Sequence, residues 1–118
     1  MATITAVKQD TTGMVGILLY LWEALTAANL DGSRIRCPQY TDKTVQILGT
    51  FDGATCTMQG SNDGSTWFSL TDPQGNAIAK AAAAGEAIIE SPLWIRPLVS
   101  GAGAGTDLDV YIICRGTR

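Results

Sequence analysis

Residues 44–70 alternate apolar and polar side chains in runs that are separated by turn-forming residues. In residues 54–60, alanine, cysteine and methionine alternate with threonine and glutamine. This period of two is typical of a β-strand with one buried face. Asp52-Gly53 stands between two such runs and favours a tight hairpin between them. The stretch therefore predicts antiparallel β-structure.

The rest of the chain divides into further runs of strand length between turns rich in glycine, proline, asparagine and aspartate. Residues 14–24 have the length of a helix, but their solid apolar run favours a long strand buried on both faces. Pro97 would place its strand at a sheet edge or at a bulge. In the last strand, Tyr111 and Ile113 lie opposite the core-facing residues and indicate that this face is covered as well. The other predicted strands are residues 2–7, 66–70, 86–90, 94–100 and 107–115, with a weak strand or irregular edge in residues 77–84.

About eight short strands with closely spaced turns predict an all-β fold, either an antiparallel β-sandwich of jelly-roll-like type or a small barrel. A length of 118 residues corresponds to one domain. We expect residues 1–12 to form an N-terminal strand or an assembly arm, and residues 13–118 to form a single β-sandwich domain. The N-terminal strand would pair within its own sandwich or with an open sheet edge of a neighbouring subunit.

The composition argues against an enzyme. The chain has no histidine, so a catalytic thiol would have no histidine as its base. Its three cysteines are too widely spaced for a zinc site. We therefore expect no catalytic residue, no metal and no cofactor. Cys56 and Cys114 lie in strand patterns and are predicted to be buried, and we expect both, together with Cys37, to remain reduced, as in the cytoplasm.

The charge pattern argues against two classes of partner. The formal net charge is −3 and the eight basic residues are scattered, which disfavours binding of nucleic acid. Only Arg34 and Arg36 lie close together, and we interpret them as part of a solvated face. The apolar residues 14–22 are too few to span a bilayer as a helix, and Asp10 and Gly16 do not fit a signal peptide. We expect no membrane partner and no small-molecule substrate.

The aspartates offer two weak candidate sites. Asp52, Asp63 and Asp72 lie in turns, where we expect them to cap their own backbones instead of acting as acid or base. Asp107 and Asp109 share one strand face and could bind a cation together with loop carbonyls, but their spacing is too loose to be specific.

The three tryptophans each lie in an apolar strand pattern. We predict that Trp67 and Trp94 pack in the core, and the alternative is a solvent-exposed platform on which sugars stack. Trp22 is either a core aromatic or an aromatic that faces a partner.

Four segments in the last two thirds of the chain, residues 49–54, 60–75, 92–97 and 106–108, resemble a known motif pattern, with Asp52 where the pattern has a glycine. The pattern reads G-T-F-G-G-A, then G-S-N-D-G-x-x-W-x-x-L-x-D-P-x-G, then P-x-x-I-R-P and a final T-D-L. In these segments the chain resembles small virion proteins of tailed bacteriophages, of the capsid decoration type. The motifs are turn and core motifs, so they specify a fold more closely than a role.

The resemblance implies a structural virion protein, a capsid decoration or cement protein that stabilises the head by binding neighbouring major capsid protein subunits from outside. Such a protein would be made in the host cytoplasm, would lie on the capsid exterior and would also associate with itself as a homo-oligomer. The alternatives are a tail-associated carbohydrate-binding module and a structural component of the tail or the head–tail connector. We expect the partner interface to include Thr3, Ile4, Thr5, Trp22 and Tyr111.

Overall fold

A computed structural model describes residues 3–36 and 39–116 of the chain. Cys37 and the first residue of the predicted N-terminal strand lie outside the described residues. Within the described ranges, the structure has no helix with the length and apolarity that a bilayer crossing requires. The strands are β1 (Val7–Lys8), β2 (Ile17–Thr26), β3 (Ile35–Arg36), β4 (Asp42–Thr50), β5 (Thr55–Ser61), β6 (Phe68–Ser69), β7 (Ala79–Lys80), β8 (Ala84–Ile88), β9 (Trp94–Ser100) and β10 (Asp107–Arg115).

Two antiparallel sheets pack against each other. The first sheet has the strand order β1-β2-β10-β4-β8, and the second has the order β3-β9-β5-β6, with β7 also paired to β5. Buried apolar side chains from both sheets form one core between them. The predicted all-β antiparallel sandwich is confirmed, and the described strands do not close into a barrel.

The adjacent interior strands β2 and β10 of the first sheet each bury one face. In β10, Leu108, Val110 and Ile112 are fully buried, whereas Tyr111 and Ile113 on the opposite face are half-buried. The residues of β2 next to Tyr111 and Ile113 are half-buried as well. The prediction that the strand in residues 14–24 is buried on both faces is therefore wrong for the chain alone, because only the inner face of β2 meets the second sheet.

The Asp52-Gly53 turn lies where the chain crosses from the first sheet to the second. Both residues have positive φ, 47° and 83°, as in the two-residue turns of hairpins, and the Ala54 N–H donates to Phe51 O at 2.9 Å. However, β4 pairs with β10 and β8, and β5 pairs with β9, β6 and β7. The predicted hairpin is therefore wrong, since the strands that flank the turn enter different sheets.

A second crossing, residues 101–106, leads from β9 back to β10 beside the first one. The Thr106 hydroxyl donates to Phe51 O at 2.7 Å, and the Gly105 N–H donates to Asp52 Oδ2 at 2.7 Å. Thr106 is buried, so its hydrogen bond replaces one that water would otherwise make. The two crossings thus stabilise each other. Asp52 has a structural role, but its carboxylate caps the backbone of the second crossing and not, as predicted, that of its own turn.

Residues 3–12 lie against their own sandwich. The Ile4 N–H donates to Asp31 O at 2.9 Å, and Ile4 forms a parallel bridge with Gly32. Gly32 in turn donates to Pro97 O of the second sheet at 3.0 Å, while β1 pairs with β2 of the first sheet. The segment thus follows one side of the sandwich from the second sheet to the first and pairs within its own chain.

Pro97 lies in β9, which pairs with β5 along all 7 residues but with β3 over two residues only. β9 is therefore an interior strand whose register with β5 is continuous, so the predicted edge position or bulge is wrong. The N and C=O of one strand residue point to the same side of the strand. Because Pro97 O accepts from Gly32, the proline nitrogen, which carries no hydrogen, also points away from β5 and toward β3 and the chain before it. The ladder to β5 consequently loses no hydrogen bond.

Two glycines with positive φ differ in the space around them: Gly49 lies at the end of β4 beside the crossings, and Gly75 lies in the turn at residues 72–76. Gly49 has a φ of 121°, and a Cβ there would lie 2.3 Å from Asp107 O; Gly75 has a φ of 86°, and a Cβ there would meet no atom within 4 Å. We expect Gly75→Ala to lower the free energy of unfolding by about 1–2 kcal/mol, which is the cost of holding a residue with a Cβ at a positive φ. Gly49→Ala should lower it clearly more, as measured by urea unfolding. Equal losses would show that the backbone near Asp107 relaxes.

Candidate functional site

The outer face of the first sheet presents a cluster of apolar side chains. Tyr111 of β10 lies opposite Leu21 of β2, and Ile113 lies opposite Leu19. All four side chains are half-buried. We call this group the apolar face: Leu19, Leu21, Tyr111 and Ile113. Together with Thr44 and Gln46 of β4, three of them line a depression of about 370 Å³.

The outer face of the second sheet has a different chemistry. The guanidinium of Arg34 lies over the Trp94 ring, with 4.2 Å from Cζ to the ring centroid, and that of Arg36 lies 5.7 Å from the same centroid. Arg96 lies over the Trp67 ring at 4.1 Å. Cation–π contacts at these distances are favourable. We call this group the arginine–tryptophan face: Arg34, Arg36, Arg96, Trp67 and Trp94.

Strand alternation explains why these side chains share a face. In β9, Ile95, Pro97 and Val99 are buried, so Trp94 and Arg96 point outward. The strand β3 follows the same rule, because Ile35 is buried and its two arginine neighbours are exposed. The predicted core positions of Trp67 and Trp94 are therefore wrong. The sequence did contain a signal, since Arg96 lies two residues from Trp94 and a strand places both on one side.

Arg96 is held by polar partners as well as by its ring contact. Its Nε donates to Gln59 Oε1 at 3.0 Å, and Gln59 lies opposite Arg96 in the ladder between β5 and β9. Its Nη1 lies 4.0 Å from Asp31 Oδ2. Trp67 and Arg96 both belong to the motif segments of the sequence, so two of these motifs meet on the arginine–tryptophan face.

The turn after β5 positions the other half of this face. Asn62 Oδ1 accepts a hydrogen bond from the Leu93 N–H at 2.9 Å, which fixes the residue before Trp94. Gly64 O accepts from Arg34 Nη1 at 3.4 Å. Asp63 Oδ1 accepts from the backbone N–H groups of Ser65 and Thr66, each at 2.8 Å. The predicted role of Asp63 as a turn-capping residue is confirmed, and the turn also supports the neighbouring side chains.

The residues predicted for a partner interface lie in three different places. Thr3 and Thr5 are exposed, and the Thr3 hydroxyl donates to Asp31. Ile4 is half-buried and packs against the core. Trp22 is fully buried, and its Nε1–H donates to Ser33 O at 2.8 Å. Trp22 therefore belongs to the core and has no surface to offer a partner, while Tyr111 lies on the apolar face.

The candidate cation site at Asp107 and Asp109 is a cleft of about 440 Å³ at one end of the first sheet, and Glu23 also lines it. Asp109 Oδ1 accepts a hydrogen bond from the Ala24 N–H at 3.0 Å, so this carboxylate stabilises the irregular backbone of β2. In the part of the chain that the structure describes, no group of three His, Cys, Asp or Glu side chains could hold a metal ion.

Cys56 and Cys114 are buried, as predicted, and among the described residues they form no disulfide. Burial raises the pKa of the Cys56 thiol to about 12, because the thiolate would lose its hydration. The Cys56 thiol therefore stays protonated at neutral pH and packs as a small apolar side chain.

Comparisons of this chain with protein-family models, with curated proteins and with solved structures gave no match.

Trp22 and Trp67 should differ in their contribution to stability. Trp22 is fully buried, so Trp22→Ala should lower the free energy of unfolding by about 3–5 kcal/mol. Trp67 is half-buried beneath Arg96, and Trp67→Ala should cost about 1–2 kcal/mol from a cation–π contact and partial burial. Denaturant unfolding of both variants measures the contrast. If Trp67→Ala lowers the free energy of unfolding as much as Trp22→Ala does, Trp67 is a core residue.

The turn at Asp63 should weaken in acid. Hydrogen bonds from the backbone of Thr66 and Ser65 and from the Ser61 hydroxyl lower the pKa of Asp63 from 3.8 to about 2. A lowered folded-state pKa gives stability that is fully present above the unfolded pKa and is lost as the pH falls through the folded pKa. The melting temperature should therefore fall between about pH 4 and about pH 2, and it should fall less in Asp63→Asn, whose amide oxygen still accepts but does not titrate. Identical pH profiles would contradict this role.

Proposed function

We propose that this chain is a structural protein of a tailed-bacteriophage virion, a capsid decoration or cement protein that binds major capsid protein subunits on the outside of the head. The observation that supports the proposal most directly is the apolar face, which offers a partner surface in the middle of the first sheet. The motif resemblance supports the class of protein.

The motif segments have structural roles that fit a common framework. Residues 49–54 comprise the end of β4 and the first crossing between the sheets. Residues 60–75 begin at the end of β5 and include the turn that supports the arginine–tryptophan face, and residues 92–97 enter β9. Residues 106–108 end the second crossing and begin β10. Three of the four segments that resemble virion proteins therefore lie at connections between the two sheets, and the fourth, residues 60–75, connects β5 to β6 within the second sheet.

The apolar face has the position and chemistry of a docking surface. Its four residues lie on β2 and β10, two adjacent interior strands of the first sheet, so they form a contiguous patch on a rigid element. Covering such surface releases about 25 cal/mol for each Å² of apolar area removed from water. In the proposal, the apolar face binds a subunit of the assembled head. A protein that binds only the assembled shell stabilises that state by mass action, and the effect is multiplied over many copies.

A carbohydrate-binding module of the tail is the second candidate. The observation that favours it is that two half-buried tryptophans, Trp67 and Trp94, lie on one outer face and not in the core. Stacking of a sugar requires an open ring face, and each of these rings already has a guanidinium over it at 4.1–4.2 Å. This contact leaves less ring surface for a sugar and places the candidate second.

Binding to heads tests the proposal. Purified protein is mixed with filled heads that lack it and with the unassembled major capsid protein, and the bound fraction is measured by co-sedimentation. We expect saturable binding to heads only. Ile113→Ser, which removes one of the four apolar side chains of the face, should weaken binding about tenfold.

Val15→Ser is the matched control, because Val15 is 97% exposed and lies outside the apolar face. Its binding should equal that of the unaltered protein, and a thermal melt should show that both variants are folded. Absence of head binding, or equal effects of the two substitutions, would contradict the proposal.

A further inference from the structure

We infer that the arginine–tryptophan face binds an acidic segment of a partner protein, whose carboxylates are held by Arg34 and Arg36 beside Trp94. The inference rests on the proposed function only in assuming a protein partner. The chemistry of that partner follows from this face alone.

The face concentrates positive charge on an acidic protein. The chain has a formal net charge of −3 and eight lysines and arginines, and three of these cations lie on this one face. Arg96 is already engaged by Gln59 and Asp31. The charge of the other two arginines is therefore what a partner would meet.

Arg34 and Arg36 keep most of their donors available. Arg34 makes one long hydrogen bond, 3.4 Å to Gly64 O. To the described residues, Arg36 makes a ring contact with Trp94 but no hydrogen bond or ion pair. The five N–H donors of a guanidinium point outward in its own plane, so a ring over the guanidinium face leaves them available.

Trp94 also restricts the motion of the two guanidinium groups that would bind the carboxylates, those of Arg34 and Arg36. A guanidinium that rests on a ring loses less conformational freedom when it forms a complex, and its planar fork matches a carboxylate with two parallel hydrogen bonds. The backbone beneath is held in turn, because Leu93 donates to Asn62 and Arg34 reaches Gly64. The geometry is therefore prepared for a planar anion.

Two other classes of macromolecule fit less well. A sugar would need the open ring faces that the guanidiniums partly occupy. Binding of nucleic acid depends on neutralising many phosphates, and a face with two available cations on a protein of net charge −3 would do so poorly. A short run of Asp or Glu residues needs only a few matched cations and can approach from the open side of the sheet.

The test uses the full chain and a fluorescein-labelled oligoglutamate peptide, with binding followed by fluorescence anisotropy. We expect binding that weakens as the NaCl concentration is raised past about 0.15 M, where the Debye length is about 8 Å. The double variant Arg34→Gln and Arg36→Gln should bind about tenfold more weakly or worse, because it loses charge-assisted hydrogen bonds. Trp94→Phe should also weaken binding, but by less.

The matched control is the double variant Lys8→Gln and Arg115→Gln, which changes the net charge equally at two exposed positions of the first sheet. It should bind like the unaltered protein. If both double variants lose the same fraction of peptide affinity, the effect comes from net charge alone and the inference is overturned. It would also be overturned by absence of peptide binding, or by tighter binding of a single-stranded oligonucleotide or of a polyuronate.

This experiment is independent of the head-binding test. Ile113→Ser alters the opposite sheet and should leave peptide binding unchanged. Peptide binding without head binding would reject the proposed function and retain this inference, whereas head binding without peptide binding would do the reverse.

Discussion

The pairing of β10 with β2 on one side and β4 on the other is the interaction on which the rest of the structure depends. Its register is continuous along β4 and shifts once along β2, between Leu108 and Val110. Because side chains alternate across a strand, the register that buries Val110 and Ile112 also places Tyr111 and Ile113 on the outer face. The core and the apolar face are thus two results of one register, and a slip by one residue would exchange them.

The second sheet repeats this relation with different chemistry. Burial of Ile95 and Val99 obliges Trp94 and Arg96 to face outward, and the turn after β5 then fixes the backbone around them. An acid-labile element, the Asp63 cap, therefore lies beside the candidate binding residues. Turn chemistry that reads in the sequence as purely structural also determines where Arg34 meets Trp94.

Strand positions could be predicted from the sequence because a period of two is a local signal. The predicted strand at residues 94–100 coincides with β9 and that at residues 107–115 with β10, while the strand predicted at residues 14–24 is displaced from β2 by two or three residues. Strand partners could not be predicted in the same way. Asp52-Gly53 forms the turn that its residues favour, yet the strands on either side enter different sheets, because pairing depends on contacts far apart in the chain.

The candidate sites are harder to predict, because apolar character alone does not show on which side of a sheet a residue lies. Lys43 shows the converse: it is 1% exposed, and its Nζ donates to Tyr40 O and to Ser91 Oγ. Its place two residues before the buried Val45 assigns it to the inner face, as Arg96 assigns Trp94 to the outer one. Position within the alternation decides the side on which a residue lies, and residue type decides only what that side can bind.

The two outer faces respond to their surroundings in opposite ways. Burial of the apolar face is strengthened by salts that are excluded from protein surfaces, whereas charge pairing on the arginine–tryptophan face is screened by any salt. Because the two sheets pack over one core that is complete within the chain, a partner on one face need not disturb the other. Under the two proposals, partners could occupy both faces at once, and the free energies of the two contacts would then combine in a single bound state.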